Sequence, residues 1–274
     1  MTKTAAPMTS GSIWKQMTFF AMPIFLGNLF QQLYNTVDSL IVGNFLGSSA
    51  LAAVSSSGSL IFMLIGFLSG ISAGAGVIVA RFFGAGDEKN LQRAVHTTVA
   101  FGLVAGVLMT GVGVALSPQI LRWMDTPESV MRESVTYLQI YFAGSLGFVM
   151  YNVLVGILQA VGDSRHPLYY LIVSSVINLV LDLLFITGFH TGVGGAAVAT
   201  VISQIVSALL CFWQLLRTKE SYGLKIRKIR FDKGILVQII KIGLPSGVQK
   251  SIIAFANVIV QSNINAFGEM AMAG

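Results

Sequence analysis

Seven stretches of this sequence are each long enough and apolar enough to cross a lipid bilayer, and no other property restricts the fold so severely. They lie at approximately 17–42, 53–80, 94–117, 135–160, 168–188, 194–216 and 242–265. A helix needs about 20 largely apolar residues to span the hydrocarbon core. Composition agrees: 54% of the residues are hydrophobic and only 10% are charged, and the mean hydropathy is +0.77. A soluble domain is typically about a quarter charged. The reading is an all-α integral membrane protein, a six-helix transmembrane bundle plus a seventh helix truncated where the sequence stops at Gly274.

In a soluble protein the net charge of +6 would suggest nucleic acid as a partner. Here the basic residues mark topology instead, and no nucleic acid is expected. With the N-terminus in the cytoplasm, inside segments carry Lys3, Lys15, Arg81, Lys89, Arg93, Arg165, Arg217, Lys219, Lys225, Arg227, Lys228, Arg230, Lys233 and Lys241. Only Arg122 and Arg132 fall outside, with Lys250 left within the seventh stretch. That asymmetry sets the orientation of a multi-pass protein. The first apolar stretch runs far beyond the 7–15 residues of a signal-peptide core and has no convincing cleavage site, so it stays as the first helix. The single Cys211 excludes an internal disulfide and reads as a small packing residue.

One segment differs from the short connections between stretches. From Arg217 to Gly234 the sequence RTKESYGLKIRKIRFDKG turns abruptly charged between two apolar runs, the pattern of a cytoplasmic linker with an amphipathic piece on the membrane surface. It divides the chain into a six-helix lobe (1–216), an inter-lobe linker (217–241) and the start of a second lobe (242–274). The residues beyond the linker resemble those that begin the chain. At an offset of 222, Met22-Pro23 pairs with Leu244-Pro245 and Asn35 with Asn257; after a one-residue gap Leu46-Gly47 pairs with Phe267-Gly268 and Ala50 with Ala271. Both copies start from the cytoplasm, which predicts a parallel repeat about an axis along the membrane normal.

Polar residues within the stretches form stripes. At 100° per residue, Asn28, Gln31, Gln32, Asn35, Asp38 and Ser39 fall within roughly a 120° arc of the first helix. In the fifth, Ser174, Asn178 and Asp182 are four apart and stack on one face. Thr200, Ser203, Gln204 and Ser207 form a third stripe on the sixth. Hydroxyls and amides of this kind commonly join membrane helices at about 0.6 kcal/mol each, and that suffices for the serines and threonines. Aspartates are different. An acid at membrane depth costs roughly 2.5–3.5 kcal/mol and is functional by default, so Asp38 and Asp182 mark a shared interior. Carboxyl, amide and hydroxyl oxygens suit a hard cation, and adjacent acids can also exchange protons.

Several residues stay outside that pattern. Lys250 shares a face with Ser246, Asn257 and Gln261, which would aim it into a cavity between lobes; its alternative is to snorkel toward the cytoplasm. Asn35, Gln204 and Asn257 are further candidates for lining or gating the cavity. His96, His166 and His190 have no ligand-spaced neighbours and receive no role. The turn Gly84-Ala85-Gly86-Asp87 lacks the preceding strand and the lysine of a nucleotide loop, so it reads as a tight cytoplasmic turn.

Three segments in order, Asp38-Ser39-Leu40-Ile41-Val42-Gly43-Asn44-Phe45-Leu46-Gly47, Ala80-Arg81-Phe82-Phe83-Gly84-Ala85-Gly86-Asp87 and Leu158-Gln159-Ala160-Val161-Gly162-Asp163-Ser164-Arg165, resemble the MATE family of multidrug and toxic-compound extrusion transporters. The likeness is strongest to the branch named for a DNA-damage-inducible protein. The resemblance implies that the chain is half of a twelve-helix, two-lobe transporter with a central cavity alternately open to each side. It implies a cation-coupling site at Asp38, Asn178, Asp182 and Thr200 that binds sodium or a proton, and a first-helix bend at Pro23. The function so implied is secondary active multidrug efflux: drug-like, cationic and amphipathic compounds leave by antiport with Na+ or H+. The coupling ion is the only cofactor expected. The expected setting is the plasma (inner) membrane, with the lipid bilayer as surroundings and a monomeric full-length protein. Two alternatives are a lipid-linked precursor flippase of the same superfamily, for which Lys250 alone is thin support, and a membrane-embedded enzyme, for which no catalytic constellation stands near a membrane face. The chain is not expected to be an enzyme.

Overall fold

The computed structural model describes residues 12–265, apart from the side chains of residues 13, 56, 59, 60, 62, 63, 253, 254, 257, 258 and 265. Regular structure among the described residues is helical: α1 (Ile13–Leu46), α2 (Ser48–Gly84), α3 (Glu88–Trp123), α4 (Glu128–Ala143), α5 (Ser145–Ala160), α6 (Arg165–Leu183), α7 (Val193–Arg217) and α8 (Lys233–Asn265). A π-helical turn, Leu184–Gly188, extends α6, and a 3-10 turn, Ile226–Lys228, lies in the linker. Among the described residues four helical spans combine the length and apolarity of a membrane crossing: Leu64–Gly84, Glu88–Trp123, Arg165–Gly188 and Val193–Arg217. The pair α4 and α5, bent by 50°, makes a fifth. With 34 residues α1 has the length, while its polar stripe lowers its apolarity.

The predicted stretch 135–160 falls within this bent pair, which breaks at Gly144. There α7 passes so close that a Cβ on Gly144 would lie 2.3 Å from Val201 Cγ1. The turn between α2 and α3 is as tight as expected, with Gly86 at φ 66° and Asp87 capping α3. The Asn90 amide donates to Asp87 Oδ1 at 3.1 Å and Asn90 Nδ2 to Oδ2 at 2.7 Å. Those bonds, the backbone one foremost, hold the Asp87 carboxyl below its ordinary pKa.

Helix α5 packs against α2, α3 and α7, and α6 lies against α1 and α7. Two large apolar clusters and one small one, Ala52, Ala53 and Val130, fill the bundle among the described residues. One large cluster, at the linker end, includes Leu154, Leu158, Cys211, Leu215 and Ile239. The other large one includes Val42, Leu121, Leu138, Phe142 and Ile186. Outward faces stay apolar and exposed, as at Val104, Val107 and Leu108 of α3 and Val173, Val176 and Val180 of α6, which is what a wall against lipid requires.

Helix α8 runs along α2. A Cβ on Gly70 would lie 2.2 Å from Gly247 Cα, and one on Gly74 would lie 2.4 Å from Gly243 Cα. Glycines four apart on both helices therefore let two backbones touch, the small-residue packing of membrane helices.

The charged linker is held down along its length. Gln92 Nε2 donates to the carbonyls of Ser221 and, at 3.0 Å, Gly223. The Lys225 amide donates to His96 Nε2 at 3.0 Å, while His96 Nδ1 meets the Gln92 carbonyl at 2.6 Å. Asp232 N donates to Thr97 Oγ1 at 3.1 Å, and Asp232 Oδ1 accepts from Ile235 N at 3.2 Å. That cap starts α8 at Lys233, inside the segment the sequence reads as linker to 241. Of the other two histidines, His166 pairs with Asp163 at 2.6 Å, and His190 is exposed in a turn at φ 52°. Each net hydrogen bond contributes about 0.5–1.5 kcal/mol, so the double substitution Gln92→Ala/His96→Ala is expected to speed limited trypsin cleavage at Lys225–Arg230 by roughly tenfold or more. Unchanged cleavage would show that these bonds do not restrain the segment.

Candidate functional site

Three helices bring the acids together. Asp38 comes from α1, Asn178 and Asp182 from successive turns of α6, and Thr200 from α7. A cavity of ≈ 260 Å³ between α1 and α6 is lined by Asp38, Asn178 and Asp182 together with Tyr34 and apolar neighbours. Asp182, Asn178 and Thr200 are buried, at 0%, 1% and 7% exposure, and Asp38 is partly buried. With its amide oriented to suit its neighbours, Asn178 Nδ2 donates to Asp182 Oδ2 at 2.8 Å and its carbonyl oxygen accepts from the Thr200 amide at 3.2 Å. Asn178 thus ties α6 to α7 and aims Asp182.

The Asp38 and Asp182 carboxyls lie close to one another in that cavity. One oxygen of each, Oδ1, is buried and has no hydrogen-bond partner among the described residues. Buried polar atoms are almost always partnered, and two carboxylates close together repel one another. A proton or a cation between them removes both costs. No group of three His, Cys, Asp or Glu residues converges among the described residues, so the donors are two carboxyls and an amide, oxygen ligands of the kind hard ions take.

Aromatic side chains close the site, and sequence reasoning missed them. Tyr34 lines the cavity, close to Thr200. Buried Tyr137 of α4 stands near both acids and stacks with Tyr141 at a centroid distance of 6.5 Å. A signal for Tyr34 existed, since it lies one helical turn before Asp38; Tyr137 had none, because α4 carries no polar stripe.

The stripes divide on folding. Gln31 and Asp38, at one edge of the α1 stripe, face cavities, whereas Gln32, Asn35 and Ser39 at the other edge are exposed. On α7 the hydroxyls of Thr200, Ser203 and Ser207 bond to their own helix, at 3.0 Å to the Ala196 carbonyl, 2.8 Å to Thr200 and 3.1 Å to Ser203. Gln204 keeps a buried Oε1 with no partner among the described residues.

A second cavity, ≈ 360 Å³, opens toward the linker end of α1. Pro23, Asn28, Gln31, Asn152, Gln159 and Lys250 are among the residues lining it. Lys250 crosses from α8 to α2, where its Nζ donates to Ser69 Oγ at 2.9 Å; the same side chain is among those lining this cavity. Pro23 lies inside α1, where the missing N–H and the ring weaken one turn. Asn257 is in α8, but its side chain lies outside the described residues.

Comparisons with known proteins agree on one family. The chain is 34% identical over 269 residues to the probable multidrug resistance protein YoeA of Bacillus subtilis, covering 96% of this chain and 58% of that protein. It is similar to solved structures of a multidrug resistance MATE family transporter of the MOP superfamily in two conformations. The inward-facing one has a TM-score of 0.82 at 29% identity, over 89% of this chain and 56% of that one. For the outward-facing one the values are 0.85, 26%, 95% and 58%. The chain therefore spans less than two thirds of the length of the relatives it matches. The MatE family model matches residues 23–184, from Pro23 through both acids, and on that match over more than half of the sequence the chain belongs to the MatE family of transporters.

Proposed function

We propose that this chain supplies the ion-binding lobe, residues 1–216, and the first helix of the opposing lobe of an exporter that moves drug-like molecules out of the cell. Six crossings would form the lobe and α8 the seventh, with residues 217–241 joining the halves on the cytoplasmic side of the plasma membrane. The transporter would work as a monomer by antiport, with no chemical conversion of its cargo. The carrying observation is the pair of partnerless carboxyl oxygens of Asp38 and Asp182 in one cavity. Sodium or a proton held there compensates the acids, with Asn178 and Thr200 setting their geometry. Ion binding draws α1 toward α6; release frees it to bend at Pro23, beside the second cavity, where the neutral amides meet the cargo and Lys250, Asn35 and Gln204 line or gate its path. Coupling arises only if ion and cargo bind the two states unequally.

The test imposes sodium and pH gradients separately on proteoliposomes and tracks export of a fluorescent organic cation. One gradient alone is expected to drive export. Tyr34→Phe, which removes a hydroxyl that lines the acid cavity, is expected to raise the ion concentration needed for half-maximal export about fivefold, the effect of one hydrogen bond near 1 kcal/mol. Export indifferent to both gradients would refute the reading.

A further inference from the structure

The crevice between the linker and the start of α3 has the construction of a binding site that transport does not require. It encloses ≈ 650 Å³, within the roughly 300–1,000 Å³ typical of small-ligand sites. Lys89 and Arg93 of α3 face Arg227, Lys228 and Arg230 of the linker across it, with Glu88 and Asp232 as the acids. Arg93 pairs with Asp232 at 3.8 Å. The other four cations make no ion pair among the described residues. Like charges gathered this way are costly without a counter-ion.

Their arrangement is built rather than incidental. The crevice floor includes the buried polar side chains of His96 and Thr97, at 3% and 0% exposure. Those two side chains fix the linker backbone at Lys225 and Asp232, and a 3-10 bond from Lys228 N to the Lys225 carbonyl at 2.8 Å sets the turn that presents Arg227 and Lys228. Arginine forks match phosphate oxygens.

The surroundings select the source of the phosphate. Ile226 and Phe231, on either side of the linker cations, are 59% and 45% exposed. Exposed apolar residues interleaved with cations are the pattern of a segment lying in the lipid headgroup layer. The crevice also sits where the apolar spans end, at Glu88 and Arg217, and Arg217 stacks on Trp213 with its guanidinium 4.3 Å from the ring centre, an interfacial anchor.

We propose that this crevice binds the phosphate of an anionic phospholipid headgroup and so fastens the inter-lobe linker to the inner leaflet. The proposal rests on the reading that the linker face is cytoplasmic, and basic pockets on that side are known to hold such headgroups. The test is native mass spectrometry of the purified protein with phosphatidylglycerol and, separately, phosphatidylcholine. Wild type is expected to retain phosphatidylglycerol preferentially. R227Q/K228Q/R230Q is expected to weaken that retention roughly tenfold or more, whereas R81Q/K219Q/K241Q, which removes three cations outside the crevice, leaves it unchanged. Equal retention of both lipids, equal loss in the two triple variants, or full competition by inorganic phosphate would each overturn the proposal. Export measured on the same samples reports on the transport reading alone, because lipid retention is scored on the folded protein whether or not it transports.

Discussion

Asp182→Asn is expected to abolish gradient-driven export, and Asp38→Asn to bring it to the same background. The substitution is nearly isosteric, and in Asp182→Asn the fully buried residue can still meet Asn178, so the helices have no reason to part. What disappears is the charge that, in the proposed mechanism, would hold the ion. Removing one partner of a buried charge pair costs about 3–5 kcal/mol, which is roughly a hundredfold or more in ion affinity. Both variants should therefore be made at wild-type levels, melt near the wild-type temperature and bind cargo, yet fail to use either gradient. Retained ion-driven export in both variants would remove Asp38 and Asp182 from the mechanism. Loss of folded protein in place of loss of coupling would assign them to the scaffold.

Gly70→Leu is expected to separate α8 from α2. Even the first carbon of the new side chain would lie 2.2 Å from Gly247 Cα, and the obstacle is backbone, so no rotamer change relieves it. The cost should reach or exceed the about 1–3 kcal/mol of ordinary overpacking. A chemical crosslink reads the separation directly. A Cβ built on Gly66 lies 3.7 Å from Lys250 Cβ, within the roughly 3.5–4.5 Å that a disulfide needs, so the pair Gly66→Cys/Lys250→Cys should close under mild oxidant. Adding Gly70→Leu is expected to cut the crosslinked fraction about tenfold. Adding Gly111→Ala, where a Cβ meets nothing within 4 Å, should leave it unchanged. If transport requires these helices to part, the oxidised pair stops export and reduction restores it. Crosslinking unaffected by Gly70→Leu would show that the two helices do not meet at their glycines.

Much of the architecture was legible because a bilayer enforces it. A helix that spans lipid must be long, apolar and internally hydrogen-bonded, and each of those demands is local in sequence. The acids were legible for the same reason, since Asp38 and Asp182 are conspicuous against an apolar background, and the spacing of four between Asn178 and Asp182 places them on one face before any fold is known. Thr200 was different: its own hydroxyl bonds within its helix, and only the family resemblance separated it from Ser203 and Ser207. Tyr137 was invisible, because an aromatic residue at membrane depth looks like packing until an acid is found beside it, whereas Tyr34 had its spacing from Asp38 as a signal. The close approach at Gly144 was equally hidden, since the neighbour there is Val201 on another helix.

Sequence alone determined that the chain is a set of membrane-length helices, that two of them carry buried acids, and that its charges gather at one end. Tertiary structure alone decided that α1 meets α6 so that the two acids lie close together, that Lys250 faces α2 and a cavity, and that the linker is pinned to α3 with its cations around a crevice. The division has one physical reason. Apolarity and helical period are set by residues within a few turns of each other, whereas which helices become neighbours depends on close approaches, such as Gly70 with Gly247 and Gly144 with Val201, between residues far apart in the chain.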